Sequence, residues 1–113
     1  MWLLDANIPL QPVALLKELG VDADSAISRG WYTFSNGRLV EAAAGAKFSA
    51  LLTRDRLFAE SAANVLIKYP DFCVVRVTLA QARAPRFLLA FRSAWRTAPI
   101  APVPGQIVDW PPT

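Results

Sequence analysis

Two aspartates stand at the ends of short apolar runs. Trp2-Leu3-Leu4 leads into Asp5, with the amide of Asn7 two residues on, and Phe48-Ser49-Ala50-Leu51-Leu52-Thr53 leads into Arg54-Asp55. Short runs that are apolar at successive positions read as strands buried on both faces, so each aspartate emerges at the carboxyl end of a strand. In open α/β sheets, ligands bind just outside those ends. Two carboxylates brought together there suffice to hold a hard divalent ion such as Mg²⁺, which takes oxygen ligands and keeps several waters. Such an ion polarises a phosphoryl oxygen and activates water for in-line attack. A neighbouring arginine, Arg54 or Arg38, can steady the phosphate by a bidentate contact.

Composition removes competing chemistries. The chain of 113 residues contains no histidine and one cysteine, Cys73. Histidine-based acid–base catalysis, Ser-His-Asp triads and His-ligated zinc are therefore excluded. No internal disulfide can form, and Cys73, inside an apolar run, reads as a buried, inert thiol. Apolar residues make up 54% of the chain, yet no stretch reaches the ~18 residues of a membrane span. The N-terminus has no basic segment followed by a long apolar one. The expectation is a cytoplasmic protein without membrane contact. The formal net charge of +3 is small, but six of the last eight charged residues are basic: Lys68, Arg76, Arg83, Arg86, Arg92 and Arg96 against Asp71 and Asp109. Such a cluster either attracts phosphate or, more ordinarily, forms a solvated helix face.

The elements that must position these groups alternate. Residues 2–5 form a first strand. Pro9 and Pro12 bracket a helix start, Val13, Leu15, Leu16 and Leu19 continue its stripe, and Gly20 ends it. Residues 21–26 give a weaker strand and residues 29–37 a loop. A helix from Leu39 ends at Gly45, and residues 48–53 make the third strand. A helix over 57–68 is stopped by Tyr69-Pro70. The β-branched run at 72–77 is the strongest strand. Ala84–Thr97 forms the last helix, with Phe87, Leu88, Phe91 and Trp95 on one face. Residues 106–110 are a short terminal strand, at an edge because prolines surround it, and 110–113 a tail. The β-α-β-α-β-α-β-α-β order predicts one α/β domain over 1–113: a mostly parallel five-stranded sheet with helices on both faces.

Three segments together resemble a known family. Leu3-Leu4-Asp5-Ala6-Asn7-Ile8-Pro9 is similar to the LLDENLP opening of PIN-like proteins of the Mut7-C type. Gly30-Trp31 followed by Asn36-Gly37-Arg38-Leu39 resembles their GW…NGELL stretch, and Leu51-Leu52-Thr53-Arg54-Asp55 resembles their LLTRD strand end. The resemblance covers roughly residues 1–77. It implies a compact PIN-like fold and a Mg²⁺- or Mn²⁺-dependent ribonuclease, of the kind found as small bacterial toxins held by a cognate antitoxin. It makes Asp5 and Asp55 the metal-binding and catalytic acids, with Asn7, Asn36 and Thr53 as supporting groups. Two acids of the pattern are missing, since Arg38 and Leu57 occupy their positions. A cation in place of an acid weakens ion binding by direct repulsion. Glu41, on the same helix face as Arg38 three residues on, is the substitute third catalytic acid, and Asp24 is a further candidate.

Plainer roles stand beside these. Asp5 and Asp55 each precede a helix and are suited to capping it, and Glu41 suits a solvated helix face. Trp31, Tyr32 and Phe34 suit a base-stacking platform, a loop anchored by aromatic burial, or a homodimer contact. The missing acids also admit a catalytically degenerate PIN-like module that binds a protein partner or RNA without cutting. A sugar or nucleotide enzyme is disfavoured, because no glycine-rich phosphate loop lies between Asp5 and Pro12.

Overall fold

A computed structural model describes residues 1–112, with the side chains of all of these except residues 59–61. In chain order the elements are β1 (Trp2–Leu4), α1 (Gln11–Glu18), β2 (Ala23–Ser25), α2 (Ala26–Arg29), α3 (Asn36–Gly45), β3 (Ala50–Thr53), α4 (Phe58–Lys68), β4 (Cys73–Val77), α5 (Ala84–Thr97) and β5 (Ile107–Trp110). All four strand pairings are parallel, and the sheet order is β2-β1-β3-β4-β5. The fold is α/β, with the all-parallel sheet that the strand–helix alternation predicts. No helix among the described residues is long and apolar enough to cross a membrane.

Strand alternation sorts the core into two layers. Leu4, Leu52, Val75 and Val77 face α1 and α5 and pack with Leu15, Leu16, Phe87 and Phe91. Leu3, Leu51 and Val74 face the other way, onto Leu39, Val40 and Ala43 of α3 and Phe58, Ala62 and Leu66 of α4. Both faces of the sheet are thus covered, which is why β1, β3 and β4 are apolar at almost every position. Cys73 is buried within the first layer, and burial pushes its thiol pKa up.

The ends of several elements follow from local chemistry. α1 carries Pro12 in its first turn, and Gly20 follows it at φ +87°, a left-handed position that favours glycine. The predicted 29–37 loop is shorter than its composition suggests. Ser25 caps α2 by accepting from the Ser28 amide, and Ser35 caps α3 by accepting from the Arg38 amide. Serine at an N-cap outweighs the loop character of Ser-Asn-Gly, so α3 begins at Asn36, three residues before the predicted start at Leu39. The intervening aromatics anchor the loop. Trp31 stacks on Phe34 and meets Phe48 edge-on, while Arg29 lies 4.9 Å from the Phe48 ring centre. Tyr32 alone is fully outside, at 64% exposure.

At the far edge, Gly105 turns the chain into β5 with φ +75°, and a Cβ there would lie 2.9 Å from the Pro70 carbonyl oxygen. Trp110 closes β5 rather than starting the tail assigned to 110–113. It is buried against Phe91 and donates its indole N–H to the Ala98 carbonyl. Thr113 lies outside the described residues.

Candidate active site

Asp5 follows β1, and its amide donates to the Leu52 carbonyl of β3. It therefore sits beside Thr53, the last residue of β3. Leu3 and Leu51 face the α3/α4 layer, so Asp5 and Thr53, two residues on in each strand, face it too. The next positions across are Arg76 of β4 and Asp109 of β5, in register with Thr53. Four polar side chains thus form a row along the carboxyl edge of an otherwise apolar sheet. The strand order turns back between β1 and β3, the switch point at which such sheets bind ligands.

The centre of the site is the Thr53 hydroxyl, on a side chain with 0% exposure. It donates to Asp5 Oδ2 at 2.7 Å and accepts from Asn7 Nδ2 at 3.2 Å and from the Asp55 amide at 3.1 Å. One donor and two acceptor sites are all a hydroxyl has, and all are used. Asn7 Oδ1 accepts from the Arg54 amide at 3.0 Å. The 5–7 and 53–55 segments, 48 residues apart along the chain, are stitched into one unit. Asp55 is held from two sides: its Oδ1 accepts from the Leu57 amide and its Oδ2 from Asn36 Nδ2 at 3.1 Å. Starting α3 at Asn36 gives that side chain its reach across to Asp55.

These contacts also decide the capping alternatives. The N-cap position of α1 is Leu10, with no side-chain cap, and Asp5 Oδ1 instead accepts from the Ala6 amide. Asp5 is not a helix cap. Asp55 forms an Asx-turn onto Leu57 just ahead of α4, so it shapes the helix entry while turning its other oxygen toward Asn36. Each carboxylate oxygen in the pair receives one protein hydrogen bond. An ionised carboxylate has about four lone-pair positions, so each oxygen keeps a lone pair for an ion. Anchored carboxylates of this kind fit the chemistry of Mg²⁺, which is commonly bound by one or two carboxylates and completed by water and substrate phosphate.

Other sequence candidates fall outside this network. Glu41 is exposed on α3, and no three His, Cys, Asp or Glu side chains among the described residues lie close enough to share an ion. Glu41 thus does not complete the Asp5–Asp55 pair as a third acid. Arg38 is exposed with its guanidinium 4.3 Å from the Phe34 ring centre, stacked rather than hydrogen-bonded into the network. Asp24 lies one row back at the β2 edge, opposite Leu3, and is bound to Arg29 at 2.7 Å. That hydrogen bond holds the Asp24 carboxyl below its ordinary value, against the opposing effect of burial. Leu57, at the position where the resembled pattern has an acid, is 66% exposed.

Arg54 differs from the other arginines. Its Nη2 donates to the Leu79 carbonyl at 3.4 Å, while its Nε is buried with no hydrogen-bond partner among the described residues. A buried donor without an acceptor costs about 1–3 kcal/mol. Arg76 is the reverse case. It grips Asp109 through Nε and Nη2 at 2.7 and 3.2 Å and donates Nη1 to the Arg56 carbonyl. Arg76 and Asp109 entered the sequence reading only as members of the C-terminal charged set, and Arg56 did not enter it. The signal for Arg76 was present, since a single charge near the end of the apolar run Cys73–Val77 is the pattern that singled out Asp5. No protein-family model, curated protein or solved structure matches the chain.

Proposed function

We propose that this chain is a PIN-like, metal-dependent endoribonuclease that hydrolyses RNA phosphodiester bonds at the Asp5–Asp55 pair. One observation carries the reading: a buried hydroxyl, Thr53, joins two aspartate-bearing segments at the switch point of a parallel sheet. Thr53 fixes Asp5, Asn36 fixes Asp55, and Asn7 locks the backbone between them. The two carboxylates would hold the ion. Mg²⁺ or Mn²⁺ bound there supplies charge neutralisation at the phosphoryl group and activation of water. Arg54, one residue before Asp55, places a positive charge beside the pair, where it would attract phosphate. With no histidine in the chain, proton handling falls to the carboxylates and solvent. The role of toxin in a toxin–antitoxin pair, with an antitoxin protein as partner, rests on the resemblance to the small bacterial PIN-like toxins.

The test is cleavage of a labelled RNA with Mn²⁺ by wild type and Asp5→Asn. Removing one of two ion-holding charges is expected to lower the rate by about 100-fold or more, since metal catalysis supplies several kcal/mol. Equal rates in the two proteins would end the reading. The exposed position of Glu41 and the leucine at position 57 favour a second reading, a PIN-like module that binds RNA or a protein partner without cutting. A thermal melt separates the two. Binding of an ion to the native state raises the melting temperature by mass action, and no rise at millimolar Mn²⁺ selects the non-cutting module.

A further inference from the structure

Three arginines border one cleft beside the acid pair. Arg54, Arg56 and Arg76 line a cavity of about 430 Å³ at the carboxyl ends of β3 and β4, together with Gln81 and Asp109. Among the described residues that line it, Asp109 is the one acid, already gripped by Arg76. We propose that this cleft is a phosphate subsite for single-stranded nucleic acid, seating a phosphate adjacent to the one acted on at Asp5–Asp55; the subsite's place in catalysis rests on the ribonuclease reading above.

Four features support the assignment. The cleft carries excess positive charge, which attracts phosphate in a salt-dependent manner. Its wall is preorganised, because Arg76 is held by Asp109 on one side and by the Arg56 carbonyl on the other. Little side-chain freedom is then lost on binding. Arg54 adds a guanidinium at the cleft wall whose one side-chain bond among the described residues is a 3.4 Å contact from Nη2 to the Leu79 carbonyl, which leaves other Nη hydrogens for an oxyanion. Arg54 also connects the cleft to the acid pair, since it lies between Thr53 and Asp55 and its amide is bound to Asn7.

A second cavity of about 330 Å³ shares Arg54 and Gln81 with the first, and its lining includes Ile8, Pro9, Leu10 and Ile27. Leu10 and Ile27 are among the exposed large apolar side chains of the chain. A cationic cleft next to an apolar shelf matches a polymer that alternates phosphate with flat, weakly polar bases. It does not match an acidic peptide. Base faces are free to lie on such a shelf in single strands and are covered in duplexes.

Binding of a fluorescent single-stranded RNA octamer to the full chain, in EDTA and read by anisotropy over a salt series, tests the proposal without any chemistry. Wild type is expected to bind at about 50 mM salt, with affinity falling as salt rises. Arg56→Gln, at an exposed position that leaves the core intact, is expected to bind about 5- to 20-fold more weakly, with a log–log salt slope shallower by about 0.7. Arg54→Gln should match it. Arg92→Gln, on α5 and paired with Glu18, should bind like wild type. Absence of wild-type binding, equal affinity of Arg56→Gln and Arg92→Gln, or equal binding of the matching duplex or of polyglutamate would overturn the proposal. A protein that binds as expected but never cuts RNA leaves the subsite standing and removes the ribonuclease reading.

Discussion

Replacing Thr53 by valine removes one oxygen at constant shape and is the most searching perturbation of the site. The hydroxyl makes one bond to a carboxylate, at 2.7 Å, and two to neutral donors, at 3.2 and 3.1 Å. A bond to a charged group contributes roughly 1.5–3 kcal/mol and a neutral one roughly 0.5–1.5 kcal/mol. Full loss of all three would come to about 2.5–6 kcal/mol, but Asp5 and Asn7 reach solvent and can exchange part of theirs for water. The net expectation is about 2–3 kcal/mol. For a domain of this size, that lowers the melting temperature by about 8–15 °C. Thr53→Ser keeps the oxygen and deletes one buried methyl group, worth about 0.8 kcal/mol, so the expected order is wild type, then serine, then valine. Valine should also blunt the Mn²⁺-induced rise in melting temperature, because loss of a residue that orients a metal ligand weakens metal affinity by about 10–100-fold. Circular dichroism melts with and without Mn²⁺ provide both readings. A valine variant that melts at or above the serine variant would refute the view that this hydroxyl ties the site together.

Two further outcomes follow from the structure. The Asp24 carboxyl is held below its ordinary value of 3.8 by Arg29, so the folded state has the lower pKa and gains stability above that value, lost as pH falls through the folded pKa. Asp24→Asn should therefore be less stable near neutrality, by under about 1 kcal/mol for a pair this exposed, and the difference should vanish well below pH 3.8 in urea titrations run across pH. Gly105→Ala puts a Cβ 2.9 Å from the Pro70 carbonyl oxygen at φ +75°. A loss of about 2–3 kcal/mol is expected from left-handed strain and a contact with backbone that cannot swing aside, visible as a lower urea midpoint.

What the sequence revealed depended on how local each signal was. The apolar runs ending in Asp5 and in Arg54-Asp55 predict both strands and put their carboxyl ends along one edge, because alternation makes the strands parallel; that β1 and β3 are neighbours is legible only in the structure. The α5 span from Ala84 to Thr97 is found where its stripe and prolines place it. Asn36 was within reach as a motif residue, but its bond to Asp55 depends on α3 starting three residues earlier than its apolar stripe, through the Ser35 cap. The short α2 was hidden for the same reason: four residues show no period, and only the Ser25 cap marks them. Glu41 illustrates the opposite error. Helical spacing relates it to Arg38, yet spacing on one helix does not say which face looks at the sheet edge, and packing of Leu39, Val40 and Ala43 turns Glu41 to solvent. The clefts on either side of Arg54 combine residues from three or more segments and leave no trace in a linear pattern.

Counting Mn²⁺ ions by electron paramagnetic resonance, on wild type, Asp5→Asn and Asp55→Asn, tests the shared-cation claim most directly. One ion bound per wild-type chain, lost from both single variants, is the predicted result. No ion on wild type, or one ion retained by either variant with unchanged affinity, would contradict it.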